Sequence, residues 1–507
     1  MRLAQVLLAV AAGLAQAASL AWPGGGQPLW WLQLLSLALL AWLLRPAARP
    51  TWRRGALLGG LFATAWLAGT FWWLFISMHV YGGLAAPLAA AAVLGLAAFL
   101  ASYYAVGLGL FCHLAPASQA QAAILFGAIW LLAELARGTL WTGFPWGAGG
   151  YAHVDGPLSA LARHVGVYGI GAVAAALAMC IAHLHRWRAW AGVVALGAIV
   201  AVAGRQPDVS HSLPPLSLEL LQGNIPQDEK FQPGSGVPVA LKWYAQALRD
   251  ARADLVVAPE TAIPLLPQQL LPGYLEGLQQ RYAHGTQAAL LGIPMGDDIE
   301  GYTNSALGMA PGQAAPYRYD KHHLVPFGEF IPPFFKWFTA MMNIPLGDFH
   351  RGAVGQPSFA WGAQRIAPNI CYEDLFGEEL GARFIDPAIA PTVFVNLSNI
   401  GWFGDSIAID QHLHISRMRA LEFERPMVRA TNTGATAVID HRGVVTHQLQ
   451  RHTRGVLRAE VRGRAGGVTP YAWWVSRWGL WPLWMLGILA CLACAAGARR
   501  AGPATPG

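Results

Sequence analysis

Apolar residues dominate the first two hundred positions of this chain in stretches long enough to read as lipid-embedded helices, since about 20 apolar residues cross a bilayer core. Seven spans are expected there, at about 3–21, 28–45, 56–78, 84–112, 119–136, 159–183 and 188–204, with an eighth at 473–495. Turn signals such as Pro23-Gly24-Gly25-Gly26 and the segment from Pro46 to Pro50 separate them. From 205 the texture changes. Short β-type runs at 216–222, 255–258, 288–293, 365–370, 392–397 and 435–440 alternate with polar, helix-prone stretches, a pattern that predicts an α/β domain. The expected organisation is therefore a transmembrane domain over 1–204, an α/β domain over 205–472, and a last span with its tail over 473–507.

Composition agrees with two solvents. Of the 507 residues 55% are hydrophobic and 12% charged, against about 25% charged in an ordinary soluble domain. Among Asp, Glu, Lys and Arg, only Glu134 occurs between 55 and 136. The net charge of +7 does not point to nucleic acid, because the arginines of the membrane part cluster at the ends of apolar runs. Arg45, Arg49, Arg53 and Arg54 follow span two, Arg186 and Arg188 follow span six, and Arg499 and Arg500 follow span eight. With alternating spans these loops share one side. The positive-inside tendency makes that side cytoplasmic, with both termini inside and the α/β domain outside. Cleavage after a signal peptide ending near Ala15-Gln16-Ala17 is the alternative for span one, and it leaves every later span oriented as before. The aromatic, glycine-rich loop from Gly138 to Trp146 falls on the outer side, either as part of the interfacial belt or facing substrate.

Four of the five cysteines, Cys112, Cys180, Cys491 and Cys494, lie in or beside apolar runs. Cys371 alone falls in the polar domain, without a disulfide partner there. It ends a β-type run, Ala367-Pro368-Asn369-Ile370-Cys371-Tyr372-Glu373. Two other segments end in polar groups: Val256-Val257-Ala258-Pro259-Glu260, and Tyr319 to Glu329, in which Lys321 precedes Glu329 by eight residues. In open α/β sheets, ligands gather beyond the carboxyl ends of strands. Singly, each of these charges reads as an ordinary solvated loop residue.

In this order and with these neighbours, the three segments resemble the Glu-Lys-Cys triad of the nitrilase superfamily, which implies a four-layer α-β-β-α sandwich. Within it the chain looks like the apolipoprotein N-acyltransferases. The likeness rests on the spans, Gln222 to Gln227, Pro259 to Pro264, Lys321 to Glu329, Cys371-Tyr372-Glu373, Trp402-Phe403-Gly404, and Arg417 to Gly434. Two positions depart from the family pattern: Ile400 stands where an acid often follows Ser-Asn, and Phe231 stands for a common Trp in the lid near the site.

The resemblance implies Cys371 as nucleophile, Glu260 as general base and Lys321 as oxyanion partner, with Glu329, Tyr372 and Glu373 in support and Phe231 and Trp402 near the substrate. It implies a multi-pass protein of the bacterial inner membrane with a periplasmic site. The sn-1 acyl chain of a phosphatidylethanolamine-like phospholipid would pass through a thioester to the α-amino group of a diacylglyceryl-cysteine on an apolipoprotein. No cofactor or metal is expected, the polar domain offering no compact His/Cys cluster with zinc spacing despite His412-Leu413-His414. The working unit is expected to be a monomer. The apolar stretch from Phe330 to Met342 is either an arm that dips into lipid or a buried loop-helix. Two other readings are weighed against this one: a membrane-anchored amidase or nitrilase, and a transporter or receptor with a ligand-binding α/β domain. The scarcity of intramembrane charge argues against transport.

Overall fold

The computed structural model describes residues 2–44, 51–114, 116, 118–313, 315–331 and 349–500, with side chains to 497. Arg45, Arg49 and most of the expected 330–342 arm lie outside the described residues, as do the side chains of Arg499 and Arg500. The chain divides into two compact units. One comprises 1–72, 87–207 and 478–507, the other 73–86 and 208–477.

The first unit is helical. All eight expected stretches contain an apolar helix: Leu3–Leu20, Trp30–Leu43, Trp52–Thr70, Ala86–Leu114, Gln119–Thr139, Ala162–Ile181, Trp187–Gly204 and Trp481–Arg500. Among the described residues five are long and apolar enough to cross a bilayer, and seven if two helix pairs with short breaks each count as one span. Trp30–Leu43 is shorter, at 14 residues. Inside the unit Trp66 stacks on Trp130 at 5.4 Å and meets Tyr104 edge-on at 5.2 Å. Arg137 donates to the Tyr104 hydroxyl at 3.1 Å and to the carbonyls of Phe144 and Trp146 at 2.6 and 2.8 Å. The carboxylate of Glu134 accepts from the Gly149 N–H at 2.7 Å. Arg137 and Glu134 thus tie loops of this unit, the buried use that the cost of charge in lipid favours.

The expected third span, 56–78, holds a break. Its helix stops at Thr70, and Trp73 to Ala86 group with the second unit. The reason is aromatic: the Trp73 indole donates to Gln411 Oε1 at 3.1 Å and packs on Phe403 at 4.2 Å, while Tyr81 meets Trp402 edge-on.

The second unit is an α/β sandwich of two six-stranded sheets. Its strands are β1 (Ser210–Gln222), β2 (Leu255–Val257), β3 (Ala288–Asp297), β4 (Gly301–Met309), β5 (Tyr317–Asp320), β6 (Phe359–Trp361), β7 (Gln364–Ile370), β8 (Val393–Ser398), β9 (Met427–Thr431), β10 (Ala437–Ile439), β11 (Val445–Gln448) and β12 (Gly455–Gly466). Their orders are β12-β1-β2-β3-β4-β5 and β11-β10-β9-β8-β7-β6. In each sheet a parallel trio, β1-β2-β3 or β7-β8-β9, lies beside antiparallel strands.

Period-two alternation decides which residues face which layer. Leu218, Leu220, Leu255, Val257 and Leu290 of one sheet meet Ile366, Ile370, Val393, Val395 and Leu397 of the other. On the outer face of the first sheet, Leu221, Val256, Ala258 and Leu291 pack under Tyr244 and Leu248 of the helix Gly236–Asp250, and under Leu278 and Tyr282 of Tyr274–Ala283. On the second sheet, Phe394 meets Phe423 of the helix Ala408–Phe423. Each fully buried Leu, Ile or Val contributes roughly 1.5–3 kcal/mol, so the core between the sheets holds the strand ends rigidly. Those ends carry the candidate chemistry.

Candidate active site

β2 delivers Glu260 through a tight turn in which Ala258 N–H donates to the Leu290 carbonyl at 2.9 Å. The turn lies directly against Gly292, where a Cβ would come within 2.5 Å of the Pro259 carbonyl and 2.6 Å of Glu260 Cα. Only glycine fits there. β5 ends at Asp320, and the Lys321 N–H donates to the Asn304 carbonyl of neighbouring β4 at 2.8 Å. β7 ends at Ile370, and Cys371 opens a 3-10 turn with φ of +51°, a left-handed conformation costly for a side chain bearing Cβ. An outlier of this kind persists only when its surroundings hold it. Here the Cys371 carbonyl accepts from Asn396 Nδ2 at 3.1 Å and from His412 Nε2 at 3.2 Å.

These three strand ends converge. Lys321 Nζ lies 3.2 Å from Glu260 Oε1 and 2.9 Å from the Glu329 carboxylate. Asn304 Nδ2 donates to the same two carboxylates, at 2.7 Å each. The remaining oxygen of Glu260 accepts from the Asn399 N–H at 2.9 Å, and Glu329 accepts from the Val325 N–H at 2.8 Å. Cys371 sits within the electrostatic reach of Glu260, Lys321 and Glu329, and its sulfur accepts from Ser398 Oγ at 3.3 Å.

The electrostatics define the resting state. Burial pushes the Cys371 thiol up to about 12, the Glu260 carboxylate adds to the effect, and Lys321 opposes it. The sulfur therefore rests as a thiol. For Glu260, burial works against ionisation, yet the Lys321 and Lys230 ammoniums and the Asn304 hydrogen bond hold it below the ordinary carboxylate range. Lys321 rises because Glu260 and Glu329 outweigh its burial. A charged base beside a neutral thiol, with a fixed ammonium, is equipped for attack coupled to proton transfer.

The supporting residues divide. Glu329 is a direct partner of Lys321. Glu373 instead accepts from Tyr319 Oη at 2.9 and 2.8 Å and from the N–H groups of His322, His323 and Ile370 at 2.6, 3.2 and 2.6 Å. It clamps the chain after Lys321 to the chain before Cys371; burial raises it above the usual carboxylate value. The Tyr372 ring is buried against Phe376 at 5.2 Å. Phe231 is partly buried beside Lys230, and Trp402 stands in the turn that follows Asn399. Ile400 is 2% exposed and packs on Gly434, so this chain fills with hydrocarbon the place of the family's acid.

Sequence reasoning missed Asn304, Asn396, Ser398, Asn399 and Lys230, and weighed His412 only as a metal ligand. His412 is buried between Asp374 Oδ1, 3.0 Å from its Nε2, and Arg429, which donates to Nδ1 at 3.1 Å. With Nδ1 accepting, Nε2 carries the proton that reaches Cys371 O and Asp374. A polar residue at the end of an apolar run was the available signal for Ser398 and Asn399; a lysine in a turn gave none for Lys230.

Comparison with known proteins adds two family matches. Residues 12–180 match the apolipoprotein N-acyltransferase N-terminal domain, and residues 220–469 match carbon-nitrogen hydrolase. An apolipoprotein N-acyltransferase of Verminephrobacter eiseniae is 72% identical over 500 residues, spanning 94% of this chain and 93% of the relative. Another, of Ralstonia nicotianae, is 50% identical over 454 residues, spanning 87% of this chain and 85% of the relative. Among solved structures, a carbon-nitrogen hydrolase from Helicobacter pylori G27 aligns with a TM-score of 0.36 and 16% identity, covering 53% of this chain and 94% of that one.

Proposed function

The chain belongs to the apolipoprotein N-acyltransferase family, and from that premise we propose an acyl transfer in two half-reactions through the thiol of Cys371. The protein is a multi-span membrane N-acyltransferase of the carbon-nitrogen hydrolase superfamily. Its donor is a phospholipid and its acceptor an apolipoprotein.

In the first half-reaction Glu260 takes the Cys371 proton as sulfur attacks the sn-1 ester carbonyl. The resulting oxyanion is met by the Lys321 ammonium and the Tyr372 N–H. Collapse breaks the ester C–O bond, Glu260 returns its proton to the departing alkoxide, and a lysophospholipid leaves. In the second, the α-amino group of the diacylglyceryl-cysteine attacks the thioester carbonyl, Glu260 accepts the amine proton, and the C–S bond breaks. The thiolate recovers that proton and the amide is released. One nucleophile shared by two substrates gives ping-pong kinetics.

The observation that carries the reading is the carboxylate of Glu260, held by Lys321, Asn304 and the Asn399 N–H, with its charge acting on the Cys371 sulfur. Apolar helices suit the lipid substrates, whose acyl chains stay in the bilayer. The arginine distribution supports a periplasmic site with both termini cytoplasmic, in a bacterial inner membrane.

The test supplies purified protein with phosphatidylethanolamine and a diacylglyceryl lipopeptide. Amine-dependent appearance of triacylated lipopeptide and lysophospholipid in equal amounts is expected. Free fatty acid released at the same rate without lipopeptide would make the protein a hydrolase instead.

A further inference from the structure

Beside the site lies a second lysine that the mechanism above does not use. Lys230 occupies the turn after Pro226, whose carbonyl accepts the Lys230 N–H at 2.9 Å. Its side chain is buried, the residue being 2% exposed. The ammonium donates to the main-chain carbonyl of Glu260 at 3.1 Å, its one hydrogen-bond acceptor among the described residues, and lies over the Phe231 ring at 5.7 Å. No carboxylate among the described residues forms a salt bridge with it. A buried ammonium with one neutral acceptor and an aromatic face is poorly compensated by its immediate contacts. Its setting explains why it is there.

Lys321 alone faces two carboxylates, Glu260 and Glu329. That trio carries one excess negative charge in a buried place, which would favour protonation of one carboxylate. Lys230 restores balance through space to the Glu260 carboxylate and through a hydrogen bond to the backbone of the same residue. The charged or titratable groups facing it are Glu260 and Cys371, with Lys321 and Glu329 beyond Glu260; Asp228 and Glu229 precede it on exposed turn positions.

We propose that Lys230 is a positioning residue for the base: its ammonium, anchored on the main chain of Glu260, keeps that carboxylate ionised and in place through both half-reactions. The inference rests on Glu260 being the base. It also ties the segment bearing Phe231 to the base through the preceding residue. Burial pushes Lys230 down to about 7 against the pull of Glu260 and Cys371, so it is charged throughout the acid range in which Glu260 titrates.

The experiment uses the full-length protein in phosphatidylethanolamine-containing micelles and follows acyl-adduct formation on Cys371 as a function of pH. On the acid limb Lys230→Met is expected to slow acylation up to about tenfold, with little change in half-saturating lipid. Its acid limb should move up by about one unit, the size of shift that about 1.4 kcal/mol of lost charge stabilisation gives. Lys230→Gln, which keeps a donor but no charge, should show the same limb shift, and Lys230→Arg should restore the wild-type limb. A wild-type acid limb in both neutral variants overturns the proposal. Glu260→Gln protein that acylates at the wild-type rate would instead overturn the assignment of the base.

Discussion

Lys321 Nζ lies closer to the Glu329 carboxylate, at 2.9 Å, than to Glu260, at 3.2 Å. Glu329 thus holds the ammonium while Glu260, also gripped by Asn304 and Asn399, remains able to move a proton. Lys321→Met should cost acylation about 10²–10³-fold, the loss typical of one oxyanion donor. Glu329→Gln, which keeps shape but removes the anchoring charge, should cost roughly tenfold by the same electrostatic argument. Single-turnover acylation followed by quenching and mass spectrometry checks both; a wild-type rate in Glu329→Gln would show that Lys321 needs no anchor.

The opposed states of Glu260 and Cys371 give a pH prediction. The Glu260 carboxylate titrates below its ordinary range, so its basic form survives acidification past that range and acylation should fall only at lower pH. Glu260 also helps keep the thiol protonated, after burial itself. Removing that charge in Glu260→Gln should therefore lower the thiol's titration. The variant's Cys371 should be alkylated by iodoacetamide at lower pH than wild type, while acyl transfer is lost. Alkylation unchanged or shifted to higher pH would contradict the arrangement.

The left-handed Cys371 depends on Asn396 and His412 for its carbonyl. His412→Ala also strips a partner from buried Asp374. Leaving such groups unsatisfied costs about 1–3 kcal/mol, so His412→Ala and Asn396→Ala should each lower the unfolding midpoint and slow acylation. A thermal melt paired with the acylation assay measures both effects; variants as stable and active as wild type would mean that the turn holds itself.

Orientation is testable without touching the site. Ile299, at the β3–β4 turn, is 94% exposed. In protein whose five natural cysteines are alanine, Ile299→Cys should react with a membrane-impermeant maleimide in cells whose outer membrane alone is opened. Labelling confined to lysed cells would reverse the topology drawn from the arginines.

The parts legible in the sequence were those where an apolar strand ends in a lone polar group, as at Val257 before Glu260 and Ile370 before Cys371. The resemblance linked these ends, which spacing alone did not. β4 escaped because a buried stretch of it is polar: Asn304 reaches the site carboxylates while Thr303 and Ser305, on the other face, donate to Asp320, so the hydrophobic signal is absent. β12 escaped because Arg458, Arg462 and Arg464 break its apolar pattern, although Arg464 is buried on Ser210 and Asp208. His412 looked like a ligand because its partner Asp374 is distant in sequence. Lys230 looked solvated because burial is a property of the fold. The break inside the third expected span gave no signal, since Phe71-Trp72-Trp73 is as apolar as any span, while Trp73 has its partners in Gln411 and Phe403.

The central claim is that the Cys371 sulfur carries the acyl chain. Purified protein mixed with phosphatidylethanolamine in the absence of lipopeptide should gain the mass of one acyl group, mapped to Cys371 and discharged on adding a diacylglyceryl lipopeptide. Cys371→Ala should gain none. The same adduct on wild-type and Cys371→Ala protein would contradict the account.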